Sequence, residues 1–238
     1  MGNSDFRRGL RDGFPICLGY FSVSFAFGIA VVSAGFPAWI AVLISASNLT
    51  SAGQLAGLTV LAAGGGLAEM AMTQLVINLR YALMSFSLTQ KLSPAFRLPD
   101  RMAAGFVITD EIFAMIASRP GVIGRRYLLG LALTPFWGWT LGTLTGACAG
   151  GILPPAVLSA LGIAIYGMFI AIVVPACRRE KSVLRVVAAA AALSCLIRFT
   201  PGLMQLSQGF TIIICAVAAS LMGAALWPHK EQEEETHA

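Results

Sequence analysis

Two adjacent carboxylates, Asp110 and Glu111, stand near the centre of an apolar run from Met102 to Ser118. Arg97, Asp100 and Arg101 precede that run and Arg119 follows it, so the run is about as long as a bilayer core is thick. A carboxylate at such depth costs about 2.5–3.5 kcal/mol on insertion scales, and two neighbours cost more. Residues this expensive are kept in membranes for a partner or a pathway. One cation, Arg80, falls at the centre of the preceding apolar run, next to Asn78 and Tyr81. One cation against two acids leaves a carboxylate in excess, able to hold a proton or to receive a substrate's ammonium. The pairing could also be purely structural, an ion pair that ties two helices together.

A third polar group lies upstream in Ser45 to Gln54, ten residues that are nearly all small or polar. If a helix breaks there, its exposed N–H groups, Gly53 among them, sit at the positive end of a half-helix and suit a carboxylate. The Gly53 and Gly57 spacing also permits close helix packing, and both can hold at once. Gln74, Asn78 and Tyr81 recur at i, i+4, i+7 and line one face of a helix. The candidate substrate-binding residues are therefore Asn48, Thr50, Ser51, Gly53, Gln54, Asn78 and Arg80, with Asp110 and Glu111 as the candidate ion-coupling pair. Glu69, beside Gly64-Gly65-Gly66 at the end of its run, reads as an interfacial residue, and Arg198 as one that snorkels to the surface.

The elements that position these groups follow from composition. The chain has 238 residues, 57% hydrophobic and 11% charged, with a mean hydropathy of +0.79. Soluble domains are about 25% charged, so this is a polytopic membrane protein, all-α, with seven or eight spans. The expected spans cover residues 14–33, 37–62, 67–88, 102–118, 127–149, 155–176, 183–199 and 203–227, the second broken near 48–54. Residues 1–227 then form one integral membrane domain and 228–238 a disordered acidic tail. The first two spans resemble the fifth and sixth in their Pro entries and Gly-plus-Pro turns, as in a duplicated transporter. Gly142, Gly146 and Gly150 give the fifth a small-residue face for a neighbouring helix or a separate subunit.

With eight spans both termini lie on one side. Of sixteen Lys and Arg, Arg80 is inside a span, Lys91, Arg97, Arg101 and Arg198 fall opposite the termini, and the other eleven fall with them, which puts the termini in the cytoplasm. Three basic residues in the 89–101 loop run against the rule, and a re-entrant segment within 37–88 would bring that loop to the cytoplasmic side. The five cysteines lie singly, and both histidines are in the tail, so neither a metal site nor a cofactor is expected. The basic clusters between apolar runs report orientation, not nucleic-acid binding. The triple glycine lacks the Lys and Ser/Thr of a phosphate cradle.

At these polar residues the sequence resembles the AzlC family, large subunits of bacterial branched-chain amino acid exporters. The shared pattern is a small-residue segment ending in Gln (Thr50 to Gln54), then Asn78-Leu79-Arg80, then Thr109-Asp110-Glu111, with Trp139 to Thr143 on the fifth span. The chain departs from it at Leu49-Thr50-Ser51, where Phe-Ala-Gly is common, and at Tyr81, where His is common. The resemblance implies a multi-pass protein of the bacterial inner membrane that exports small hydrophobic amino acids beside a small AzlD-type membrane subunit. Two other classes compete with a transporter. An intramembrane enzyme would use Asp110 and Glu111 as acid and base, but lacks a metal-binding His cluster, a GxSxG motif or a second acid pair. In a non-transporting assembly subunit the charges would serve packing alone.

Overall fold

The computed structural model describes residues 2–150, 153–154, 156, 170, 173–203 and 205–227. Among the described residues every regular element is helical. In chain order they are α1 (Gly2–Ser33), α2 (Ala38–Ser47), α3 (Ser51–Ala62), α4 (Leu67–Thr89), α5 (Leu98–Val107), α6 (Asp110–Ala117), α7 (Arg125–Ala149), α8 (Lys181–Phe199) and α9 (Gln208–Leu226). Residues 173–179 are helical as well. Ser4–Ser33, Lys181–Phe199 and Gln208–Leu226 are long and apolar enough to cross a membrane. The expected span at 155–176 lies mostly outside the described residues, so the likeness drawn between spans one and two and spans five and six falls there too. The acidic tail at 228–238 lies outside them entirely.

The centre of the bundle is α1 lying parallel to α7, backbone against backbone. A Cβ at Gly13 would stand 2.6 Å from the Leu131 carbonyl oxygen, one at Gly138 2.6 Å from that of Cys17, and one at Gly146 would collide with that of Phe25. The contacts climb both helices in the same direction, so α1 and α7 begin at the same end of the molecule. The Gly142 and Gly146 face is therefore filled by α1 from within the chain, not by a separate subunit. Gly150 lies only at the edge of this contact, where an added Cβ would stand 3.8 Å from Ile29 Cα.

Two elements expected to cross the bundle instead fold back. Residues 37–62 form α2 and α3, separated by extended Asn48-Leu49-Thr50. Val31, Ala41, Leu58 and Ala147 share one apolar cluster, which puts the start of α2 and the end of α3 together at the end where α1 finishes. Residues 98–117 form α5 and α6, broken at Ile108-Thr109, a break the sequence reading placed nowhere. Here the flanking loops touch: the Ser93 N–H donates to the Ile123 carbonyl at 3.0 Å and the Ile123 N–H to that of Lys91 at 2.8 Å. The Lys91 ammonium donates to the carbonyls of Ala117 and Arg119, at 2.5 and 3.0 Å. The 89–101 loop and the 118–124 loop thus share one end, and neither 37–62 nor 102–118 traverses the bundle.

The two helix-plus-hairpin units run in opposite senses. Helix α1 is followed by a hairpin that enters from its far end; α4, running the opposite way, is followed by a hairpin that enters from the other side. Each half-helix of about ten residues is about 15 Å long, half a bilayer core. Both breaks are therefore near the waist, where Tyr20, Leu49 and Trp139 pack together.

This folding also gathers the cations. The start of α9 sits on Glu69 at the α4 N-terminus, and α8 runs antiparallel to α9, with Arg185 5.2 Å from the Trp227 ring. Of the sixteen Lys and Arg, Lys230 is outside the described residues, Arg80 is at the waist and Arg198 is at one end; the remaining thirteen are at the other, called here the basic end.

Candidate functional site

The first break is held open by side chains. Thr50 caps α3, its hydroxyl accepting from the Gly53 N–H at 3.1 Å, while the Gln54 N–H donates to the Thr50 carbonyl at 2.9 Å. Of the four N–H groups that begin a helix without partners, this leaves those of Ser51 and Ala52. The Gly53 N–H, expected to face a substrate, is taken by the cap. Gln54 is 1% exposed and spans the break, its amide donating to the Asn48 carbonyl at 2.7 Å and to Ser45 Oγ at 3.1 Å. It satisfies a carbonyl that the end of α2 orphans. Ser45 Oγ lies in turn 2.7 Å from Thr143 Oγ1 on α7.

Gln74 ties the same break to α4. Its Nε2 donates to the Gly53 carbonyl at 2.8 Å and its Oε1 accepts from Asn78 at 3.0 Å. Asn48 and Asn78 therefore belong to the scaffold behind the break. They join Gln54 there, outside the wall of the cavity described next.

The second break repeats the cap with charge added. Thr109 accepts from the Ile112 N–H at 3.4 Å and its carbonyl from Phe113 at 2.8 Å, leaving the N–H groups of Asp110 and Glu111 at the start of α6. Arg80 Nη2 lies 2.9 Å from Asp110 Oδ2, the ion pair across α4 and the second hairpin that the sequence anticipated. The same guanidinium donates to the Tyr81 hydroxyl at 3.1 Å. Glu111 is the acid in excess. Its Oε2 accepts from the Tyr20 hydroxyl at 2.5 Å, and the Tyr20 ring stands edge-on to Trp139, 5.1 Å between centroids.

Both half-helix starts open on one cavity of about 690 Å³ at the waist. Its polar wall is Ser51, Ala52, Arg80, Tyr81, Thr109, Asp110, Glu111 and Tyr20; its apolar wall includes Ile16, Val23, Leu49, Ile77, Trp139 and Val173. Of the candidate residues, Ser51, Arg80, Asp110 and Glu111 line it; Thr50 and Gly53 shape its edge through the cap. Sequence reasoning missed Tyr20, an aromatic residue with no distinguishing pattern on an apolar helix, and noted Trp139 only within the family pattern, not as part of the site. Glu69 stands, as expected, at the end of its helix and outside the cavity. That carboxylate is buried, accepting from the Ser207 hydroxyl and, at 2.9 Å, from the Gly209 N–H, and so it fastens the start of α9 to α4. Among the described residues no three His, Cys, Asp or Glu side chains gather as a metal site would require.

Comparison with known proteins finds relatives across bacteria and archaea. The family described as AzlC protein matches residues 15–153, from Pro15 within α1 through both hairpins and α7. The inner membrane protein YgaZ of Escherichia coli is 30% identical over 188 residues, 76% of this chain and 77% of that protein. An uncharacterized membrane protein of Archaeoglobus fulgidus is 34% identical over 172 residues, covering 71% of this chain and 75% of its own. One from Helicobacter pylori is 27% identical over 154 residues, 61% and 66% of the two chains. No solved structure matches.

Proposed function

Since this chain belongs to the AzlC family of membrane transport components, we propose that it is a secondary transporter that exports branched-chain or similar small hydrophobic amino acids. The observation that carries the reading is the division of charge around the waist cavity. On one wall the uncharged start of α3 offers the Ser51 and Ala52 N–H groups, a seat for a carboxylate, with Arg80 beside it. On another, Glu111 has no cation partner among the described residues and receives an ammonium. The apolar wall of Ile16, Val23, Ile77 and Trp139 takes an aliphatic side chain. At about 690 Å³ the volume is within the usual range for small-molecule sites.

Three parts of the proposal extend it. The basic end faces the cytoplasm, because thirteen cations gathered there and one at the other end follow the positive-inside rule. An ion gradient drives export, with Asp110 and Glu111 as the coupling pair. A small hydrophobic AzlD-type subunit completes the permease; its seat is not the α7 glycine face. Family membership favours transport over intramembrane acid–base catalysis.

The test is efflux of labelled leucine from cells loaded with Leu-containing dipeptides, with and without this gene and its small partner. Faster efflux with both genes is expected. Leucine efflux that is the same with and without the two genes overturns the reading.

A further inference from the structure

A second cavity, of about 410 Å³, opens at the basic end between α5 and α7 and shares no lining residue with the waist cavity. Its interior is apolar: Ala103, Ala104 and Val107 on one side, Leu128, Leu129 and Ala132 on the other. Its mouth is polar. Asp100 is fully committed there, one oxygen 2.6 Å from Arg125 Nη2 and the other accepting from the Arg97 N–H at 2.9 Å. Arg126, at the same mouth, has no ion pair among the described residues, so the entrance keeps an uncompensated positive charge.

The dimensions define what would fit. From Arg125 and Asp100 the two helices run side by side for about seven residues, to Ala132 and Val107, a depth of about 10 Å. One leaflet's hydrocarbon is about 15 Å deep. A groove that is cationic at the membrane surface and apolar for about two-thirds of a leaflet below it matches a single phospholipid with an anionic headgroup. A free anion would leave the apolar part empty, and a zwitterionic lipid would bring its own cation to an entrance that is already positive.

We propose that this groove is a binding site for an anionic phospholipid, its phosphate on Arg126 and one acyl chain between α5 and α7. The lipid then braces α5, the outer half of the hairpin that carries Thr109, Asp110 and Glu111. The site is independent of what the waist cavity transports.

The test uses the full chain purified in mild detergent and offered phosphatidylglycerol or phosphatidylcholine, with bound lipid counted by native mass spectrometry. Phosphatidylglycerol should bind more tightly by about fivefold, the factor expected for one basic residue near a membrane surface. Arg126→Glu should erase the preference, and Ala103→Phe, which fills the groove, should remove both lipids. Intrinsic fluorescence melting shows that each variant is folded. Equal binding of the two lipids to the unaltered protein, retention of the preference in Arg126→Glu, or capture of a second protein chain in the groove in place of lipid would each overturn the proposal.

Discussion

The two hairpins use the same backbone device and carry opposite chemistry. Each breaks at a buried apolar residue, Leu49 or Ile108, both 4% exposed, followed by a threonine that caps the returning half-helix. Behind the first break lie amides: Gln54, Asn48, Gln74 and Asn78 hydrogen-bond to one another and to the loosened backbone, while Gln54 Oε1 and Asn78 Oδ1 have no partner among the described residues. Behind the second lie hydrocarbons, with Ile108, Ile112 and Ile116 in one core with Leu88, Leu92, Phe96 and Leu131. The first presents two bare N–H groups to the cavity; the second presents two carboxylates. One backbone device used twice can thus offer a cation-like seat and an anion-like seat to the two ends of one zwitterion.

The sharpest way to break this contrast is to make the hairpins alike. Ala52→Glu puts an acid at the neutral start of α3, and like charges facing each other cost several kcal/mol. Leucine flux in reconstituted vesicles should fall by about a hundredfold or more; normal flux would show that α3 is not the carboxylate seat. Glu111→Gln strips the other side. It removes a charged partner worth about 1.5–3 kcal/mol, so apparent affinity should weaken by about ten- to a hundredfold. Yield should hold, because the Gln amide oxygen still accepts from Tyr20.

Smaller effects probe the scaffolds. Gln54→Leu leaves the Asn48 carbonyl unanswered in a buried site, a loss of about 1–3 kcal/mol that should show as a lower melting temperature in detergent. Thr50→Ala and Thr109→Ala should each cost about 1 kcal/mol, and comparable losses would confirm that the caps are equivalent. Arg80→Ala should cost least, about 0–1 kcal/mol of stability, since both Arg80 and Asp110 are about half exposed toward the cavity and the pair is screened. The sequence alone suggested a costly buried pair; a large loss of folded protein would restore that view.

What could be read in advance divides along the same line. The first break announces itself because Ser45 to Gln54 is too polar for a lipid-facing helix. The second is hidden, since Val107 and Ile108 continue an apolar run and the threonine reads as one more small residue. Two signals were available: seventeen residues from Met102 to Ser118 is the short limit for a span, and Thr followed by two acids is how a helix start is written. Depth in a span correctly brought Arg80 to Asp110. It could not distinguish cavity wall from scaffold, because Asn78 and Arg80 are two positions apart on a helix and point to different neighbours. Nor could it see the folding back, which depends on hydrogen bonds between loops thirty residues apart.

The glycine contact between α1 and α7 has a consequence for how the molecule is made. Gly13 meets Leu131, and Gly28 meets Thr143, so α1 emerges from the ribosome about 115–120 residues before its partner. At about 5–20 residues per second that is a wait of about 6–24 s, during which both hairpins must enter the membrane beside an α1 still without α7. The axle of the bundle is thus fitted last. Substitutions along it, Gly138→Leu for example, should act first on the fraction of chains that mature and only secondarily on what the mature protein does.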